Sequence, residues 1–122
     1  MNREIRFRGK RKSDNQWIYG YYVNTHDRPR IIYEDYEGYY MEEEVIPESV
    51  GQYTGMNNKE IYEGDLYKDE ENMLWEVVYH GTYTGAFILV NTDVPARLLL
   101  TAINEMKAAG NRFDNPELLE DK

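Results

Sequence analysis

The segment from Val50 to Lys68, VGQYTGMNNKEIYEGDLYK, constrains the fold more than any other part of the sequence. It supplies backbone freedom for sharp bends at three glycines, Gly51, Gly55 and Gly64. Asp65 follows the last of them in the corner EGDL. We assign these four residues to structural turns between short strands, an arrangement typical of small β-barrels. The same segment contains no nucleophile, no set of metal ligands and no phosphate-binding loop.

Alternation of apolar and polar residues predicts β-strands along most of the chain. The clearest case is WIYGYYV, in which Gly20 at mid-strand indicates a bulge or a close approach of another backbone. Trp17 and Trp75 both lie on alternating apolar faces, so we expect both rings to be buried in the sheet core. A hairpin is predicted around residues 34–38. The predicted strands cover residues 3–8, 17–23, 31–33, 39–41, 52–54, 61–62, 66–68, 73–79 and 86–90.

The hydrophobic period changes from strand-like to helix-like after residue 92. An apolar stripe predicts a helix over about residues 95–109, with Pro95 in its first turn and Gly110 after its end. The stripe consists of Leu98, Leu99, Ala102, Ile103 and Met106. The expected fold class is therefore α+β, mostly β, with one packed C-terminal helix. We expect a single domain over residues 1–122, β-rich over 1–92, with a short tail at 111–122.

Charge is unevenly distributed along the chain. The first twelve residues hold six basic residues and one acidic residue, a net charge of +5. The other 110 hold eight basic and 22 acidic residues, a net charge of −14. The simplest interpretation is a strand and a turn with solvated charges. Two more specific alternatives are a basic N-terminal arm that docks on the acidic body of a second copy and an arm that contacts nucleic acid. Because the acidic body would repel phosphates, docking on a second copy is the better of these two.

Tyrosine is the most distinctive component of the composition, with 12 residues in a chain that is only 41% hydrophobic. Tyrosine is enriched in protein interfaces. The tyrosines between residues 33 and 40 stand among acidic residues, which favours a protein partner and makes nucleic acid an unlikely one. We therefore expect a homo-oligomer, with a host protein as a possible further partner. The candidate interface residues are Arg6, Arg8, Arg11, Tyr33, Tyr36, Tyr39 and Tyr40.

The residues that most catalytic sites require are scarce. The chain has no cysteine, and its two histidines, His26 and His80, are far apart in sequence. Neither serine, Ser13 or Ser49, lies in the strand–turn–helix setting of a nucleophile. We therefore predict no catalytic residue, no metal ligand and no cofactor, and we identify no small-molecule substrate. No apolar run approaches the ~20 residues of a membrane-spanning helix, so we expect a soluble intracellular protein.

Three blocks of the sequence resemble the YopX family of bacteriophage and prophage proteins. They are REIRFRGKRK followed by WIYGYY, then VIPESVGQYTGMNNKEIYEGDLYK, and then GNRFDNPELLE, in the family's order over nearly the whole chain. The resemblance implies a β-rich, YopX-like barrel or sandwich, and it brings no catalytic residues. In the family, the segment before the third block is usually strand-like. Here either the helix continues through residues 103–109, which we favour, or it ends early and residues 107–111 form a strand.

The resemblance and the residues together predict an uncharacterised phage or prophage accessory protein in the cytoplasm of a bacterial host cell. We expect it to act by protein binding and self-association, and not as an enzyme. The alternative is an acidic mimic of nucleic acid that inhibits a basic DNA- or RNA-binding host protein. The net charge of −14 outside the arm would supply the mimicry.

Overall fold

The computed structural model describes residues 6–56, 59–80 and 86–119. The chain divides into two compact units, residues 1–62 and residues 63–122. Each unit contains one five-stranded sheet, and every strand pair in both sheets is antiparallel. The prediction of a mostly β fold is therefore confirmed, whereas closure into a barrel or a sandwich stays a prediction.

The first unit is a sheet with the strand order β4-β3-β2-β1-β5. The predicted strand at residues 17–23 and the predicted hairpin around residues 34–38 are both confirmed. Residues 3–5 of the first predicted strand lie outside the described residues. A 3₁₀ helix at Pro47–Ser49 connects the last two strands. The strands are β1 (Phe7–Lys10), β2 (Trp17–Thr25), β3 (Arg28–Glu34), β4 (Tyr40–Glu44) and β5 (Gly51–Gln52).

The core of the first unit forms on one face of β2, the face that carries Ile18. Ile18 and Ile31 are buried there together with Val45. Trp17 lies on the opposite face and is only half-buried, so the prediction that it is a core residue is wrong. The physical reason is the period of two, because burying Ile18 turns Trp17 to the other side of the sheet. Further side chains packed against this core are Phe7, Tyr22, Tyr33 and Val50.

Gly20 allows two backbones to approach closely, as the sequence indicated. A Cβ atom built on Gly20 would lie 2.2 Å from the carbonyl oxygen of Ile32 on β3. At this distance any Cβ atom would overlap the carbonyl oxygen. The strands β2 and β3 can therefore pack in this way only with glycine at this position.

The second unit is a sheet with the strand order β10-β6-β7-β8-β9. Trp75 on β7 is only 6% exposed, so the prediction that it is buried is confirmed. Its indole Nε1 donates a hydrogen bond of 3.0 Å to the Asp69 carboxylate. The strands are β6 (Asp65–Lys68), β7 (Leu74–His80), β8 (Ala86–Asn91), β9 (Arg97–Leu99) and β10 (Lys107–Asn111). Two 3₁₀ helices, Leu100–Glu105 and Pro116–Leu119, complete the described part of this unit.

The helix predicted over residues 95–109 is wrong as stated. Its first part is the edge strand β9, its middle is the 3₁₀ helix Leu100–Glu105, and residues 107–111 form β10. The alternative interpretation, in which the helix ends early and residues 107–111 form a strand, therefore describes this segment better. Pairing of β9 with β8 and of β10 with β6 outweighs a local helical pattern, because intrinsic propensity is weak against tertiary contacts. Of the five residues in the predicted apolar stripe, only Ile103 is buried.

Candidate protein-interaction surface

The β3–β4 hairpin presents tyrosines at its tip through a turn held by Asp35. The Asp35 carboxylate accepts hydrogen bonds of 2.9 Å from the backbone N–H groups of Glu37 and Tyr39. The backbone N–H of Gly38 donates to the Asp35 carbonyl at 3.0 Å, and Gly38 has a φ of +91°. Asp35 is therefore the residue that fixes the turn, since a short carboxylate readily bonds backbone N–H groups a few residues further along.

Three tyrosines of the candidate interface are displayed by this turn. Tyr36 is 97% exposed, Tyr40 is 79% exposed and Tyr39 is 67% exposed. Glu34 pairs with Tyr40 in the strand register, and Glu37 lies next to Tyr36 in the turn. Neither glutamate has an ion pair with another described residue. We call this set the hairpin surface: Glu34, Tyr36, Glu37, Tyr39 and Tyr40.

Tyr33 was predicted to belong to the same interface, but it packs against the core of the first unit. Its hydroxyl donates a short hydrogen bond to the Glu43 carboxylate. That hydrogen bond, together with burial, raises the pKa of Tyr33. Tyr33 is thus a structural residue of the hairpin strand β3, packed against the core, and it does not contribute an exposed ring.

Arg11 is held by two carboxylates of its own unit. It donates to Asp14 through Nε at 2.9 Å and through a terminal nitrogen at 2.8 Å, a two-point contact, and it donates to Glu43 at 2.6 Å. The hydrogen bonds from Arg11 lower the pKa of Asp14. The pKa of Glu43 is lowered by the hydrogen bond from Tyr33 and then by Arg11, against an opposing effect of burial.

Arg6 and Arg8 are stacked on aromatic rings of the same unit. The guanidinium carbon of Arg6 lies 4.3 Å from the ring centre of Tyr53, and its Nε donates to the Tyr62 hydroxyl at 2.8 Å. The guanidinium carbon of Arg8 lies 4.5 Å from the Trp17 ring and 4.9 Å from the Tyr62 ring. Cations attract the faces of such rings at these distances. Burial raises the pKa of the Tyr62 hydroxyl to about 12, although Arg6 acts in the opposite direction.

The three arginines of the candidate interface therefore have partners within their own unit, and Arg6 also forms an ion pair with Glu60. Each glutamate of the acidic run at residues 42–44 likewise forms an ion pair with an arginine. Glu42 pairs with Arg30 and Glu44 with Arg28, while Arg11 takes Glu43. Of the seven candidate interface residues, the structure leaves Tyr36, Tyr39 and Tyr40 displayed.

Two exposed tyrosines on β2 were not among the predicted interface residues. Tyr19 and Tyr21 both lie on the face of β2 opposite the core, and both are exposed. The alternation in WIYGYYV placed them on one face, but it did not say which face would be buried.

The predicted turn residues occupy different kinds of position. Gly55 has a φ of +76° and Gly64 has a φ of +95°, a region that favours glycine. The Gly64 N–H donates to the Val77 carbonyl at 2.8 Å, which ties this turn to β7. Gly51 instead lies in strand β5, and Asp65 is a buried residue at the start of β6.

A concave region of about 550 Å³ in the second unit has a mixed lining. Lys68 and Lys107 are register partners on β6 and β10, and Glu70 and Glu105 lie on the same lining. Asp69, also on the lining, accepts the hydrogen bond from Trp75, and this bond lowers the pKa of Asp69. Because two lysines and three carboxylates share the lining, it favours neither anions nor cations clearly, and we assign no site to it.

Among residues 6–56, 59–80 and 86–119, no group of three or more His, Asp or Glu side chains is placed to hold a metal ion. The same residues include no helix with the length and apolar character needed to cross a membrane.

Comparison with known proteins supports the resemblance drawn from the three sequence blocks. No curated protein matches the sequence. The family model described as YopX protein matches residues 6–120, nearly the whole chain. This chain therefore belongs to the YopX protein family.

Proposed function

We propose that this chain is a phage or prophage accessory protein that acts by binding other protein chains, including copies of itself, and not by catalysis. The observation that carries the proposal is the hairpin surface, where three highly exposed tyrosines lie at or beside one turn whose backbone is hydrogen-bonded to the Asp35 carboxylate. Tyrosine offers a large apolar ring with a polar tip at low conformational cost, which is why it is common at protein interfaces.

Self-association has a separate structural basis in the second unit. Strand β9 is at the edge of its sheet and has β8 as its only strand neighbour among the described residues. It exposes Leu98 and Leu99, the latter to 76%. An edge strand with unpaired backbone groups and exposed leucines can pair with the same strand of a second copy. Such a contact would be symmetric, as most dimer contacts are.

The charge-driven association expected from the sequence has less support. Arg6, Arg8 and Arg11 would have to leave ion pairs and stacked rings of their own unit before docking on a second copy. Mimicry of nucleic acid is also weakly supported, since each glutamate of the run at residues 42–44 is paired with an arginine. We therefore base self-association on apolar contacts, which salt does not screen.

Sedimentation velocity tests the proposal at low and high salt. The variants are Leu99→Lys, the triple change Tyr36→Ser/Tyr39→Ser/Tyr40→Ser, and Val94→Lys as a control at an exposed apolar residue outside β9. We expect the wild type to associate at tens of micromolar in both salts. Association should be lost in Leu99→Lys and retained in Val94→Lys. A wild-type protein that stays monomeric in both salts would remove self-association from the proposal.

A further inference from the structure

We propose that the hairpin surface binds an arginine- or lysine-rich segment of a partner protein. This inference rests on the proposed function and specifies the chemistry of the partner. The surface combines three exposed aromatic rings with two glutamates, Glu34 and Glu37, that form no ion pair with any residue the structure describes. Residues 34–40, EDYEGYY, contain three acidic residues and no basic one.

The nearby arginines of the same hairpin do not neutralise this surface. Arg30 pairs with Glu42 at the middle of β4, and Arg28 pairs with Glu44 at its far end. Glu34 and Glu37 are exposed and have no ion pair among the described residues. A partner that approaches the three rings therefore meets a net negative charge, and a basic segment is the complementary occupant.

The chemistry of tyrosine rings beside a carboxylate favours guanidinium and ammonium groups specifically. The face of an aromatic ring attracts a cation within about 6 Å of its centre, and a carboxylate beside the ring adds a charge-assisted hydrogen bond. The arginine guanidinium suits such a site best, because it is planar, stacks on rings and carries five donors.

The first unit already contains one example of this recognition. Arg6 lies over Tyr53, donates to Tyr62 and pairs with Glu60. Arg8, two residues further along the chain, lies over Tyr62 and Trp17. An extended segment with cations at alternate positions is thus accommodated by rings and a glutamate within this chain. The hairpin surface offers the same groups, tyrosine rings and carboxylates, and among residues 6–56, 59–80 and 86–119 no basic side chain forms an ion pair with Glu34 or Glu37.

Two other occupants are less compatible with this charge. A second copy placed symmetrically would oppose the carboxylates of one hairpin to those of the other, which is unfavourable. A nucleic acid strand could stack bases on the rings, but its phosphates would face the same carboxylates. Both are outcomes that the following experiment can detect.

The experiment measures the affinity of the full chain for two synthetic peptides, five Arg–Ser repeats and five Gln–Ser repeats, at about 0.05 and 0.5 M salt. We expect the arginine peptide to bind at least tenfold more tightly than the glutamine peptide, and the difference to shrink at high salt. The change Tyr36→Ser/Tyr39→Ser/Tyr40→Ser should weaken arginine-peptide binding at least tenfold while leaving the charge unchanged. Circular dichroism confirms that this variant is folded, as expected for substitutions at exposed residues.

The charge component is tested with Glu34→Gln/Glu37→Gln, matched by Glu70→Gln/Glu71→Gln at exposed carboxylates of the second unit. The first pair should weaken arginine-peptide binding and reduce its salt dependence, whereas the control pair should not. Equal loss in both pairs, or unchanged binding by the triple tyrosine variant, would show general charge attraction and overturn the inference.

Failure of this inference is distinguishable from failure of the proposed function. If a single-stranded oligonucleotide binds more tightly than the arginine peptide, a nucleic acid is the occupant and the inference is overturned. If the peptide does not bind and the triple tyrosine variant loses self-association in sedimentation, the occupant is a second copy. That result overturns the proposal that the partner is a basic segment, and it supports the proposed function of binding protein chains.

Discussion

Substitution of Gly20 by alanine tests the closest backbone approach in the first unit. A Cβ on Gly20 would lie 2.2 Å from the Ile32 carbonyl oxygen and 3.1 Å from the Tyr33 Cβ. Carbon–oxygen contacts between strands are normally about 3.3 Å or longer, so the two groups must separate by about 1 Å. Both atoms that obstruct the methyl group at less than 3.1 Å belong to the backbone of Ile32, which cannot rotate away as a side chain could.

The expected cost follows from this geometry. Forcing an extra methyl into a packed core costs about 1–3 kcal/mol when side chains can adjust, and a backbone obstruction belongs at the upper end. Alanine also lowers the conformational entropy of the unfolded chain, which stabilises the folded protein by up to about 1 kcal/mol and offsets part of this cost. We therefore expect Gly20→Ala to lower the free energy of unfolding by about 2–3 kcal/mol. With a urea m-value of about 1–3 kcal/mol/M, the unfolding midpoint should fall by roughly 0.7–3 M.

Urea unfolding followed by tryptophan fluorescence measures this change. A Trp75→Phe background leaves Trp17, which lies in β2, as the reporter of the affected sheet. Gly9→Ala is the matched control, because the three atoms nearest to a Cβ there are side-chain atoms of Val45 and Val50, at 3.2–3.4 Å. We expect the control to stay within about 1 kcal/mol of the wild type. If Gly20→Ala is as stable as Gly9→Ala, the close approach of β2 and β3 does not exist as described.

Two further predictions concern aromatic side chains. Trp75→Ala should cost about 3–5 kcal/mol, as a buried indole does, whereas the half-buried Trp17→Ala should cost clearly less. Equal losses in urea unfolding would contradict the different burial of the two rings. The second prediction concerns alkaline pH, because burial raises the pKa of Tyr62 to about 12. Its contribution to stability is complete below the ordinary tyrosine pKa of about 10 and falls by about 1.4 kcal/mol per pH unit between the two values, since the unfolded chain loses its proton first. Tyr62→Phe should lack this part of the pH dependence in urea titrations from pH 9 to 12, and identical slopes in both proteins would refute it.

The local alternation of apolar and polar residues was sufficient to predict most of the strands and the hairpin that carries the candidate site. A period of two is a property of neighbouring residues, so the alternation in WIYGYYV predicted β2 without reference to any other segment. The same holds for Gly20, where a glycine in mid-strand indicated a close approach. The tyrosines at positions 36, 39 and 40 were also found from composition, because they stand among acidic residues in a turn.

Local pattern failed where two local structures fit the same residues. The apolar stripe at residues 98–106 predicted a helix over residues 95–109, yet residues 97–111 form β9, a 3₁₀ helix and β10. A short apolar stripe does not distinguish a helix from strand segments, and the register with β8 and β6 settled the outcome.

By itself, the sequence determined that this chain is a mostly β member of the YopX family with an acidic, tyrosine-bearing hairpin. Only the tertiary structure decided which face of β2 is buried and where the charges of the N-terminal arm go. Arg6 meets Glu60 across 54 positions of sequence, and Arg11 meets Glu43 across 32. Contacts at such separations depend on strand order and register, which no local period contains. Arg6 and Arg11, which looked available for another chain, are for this reason engaged within their own unit, and the hairpin tyrosines remain exposed.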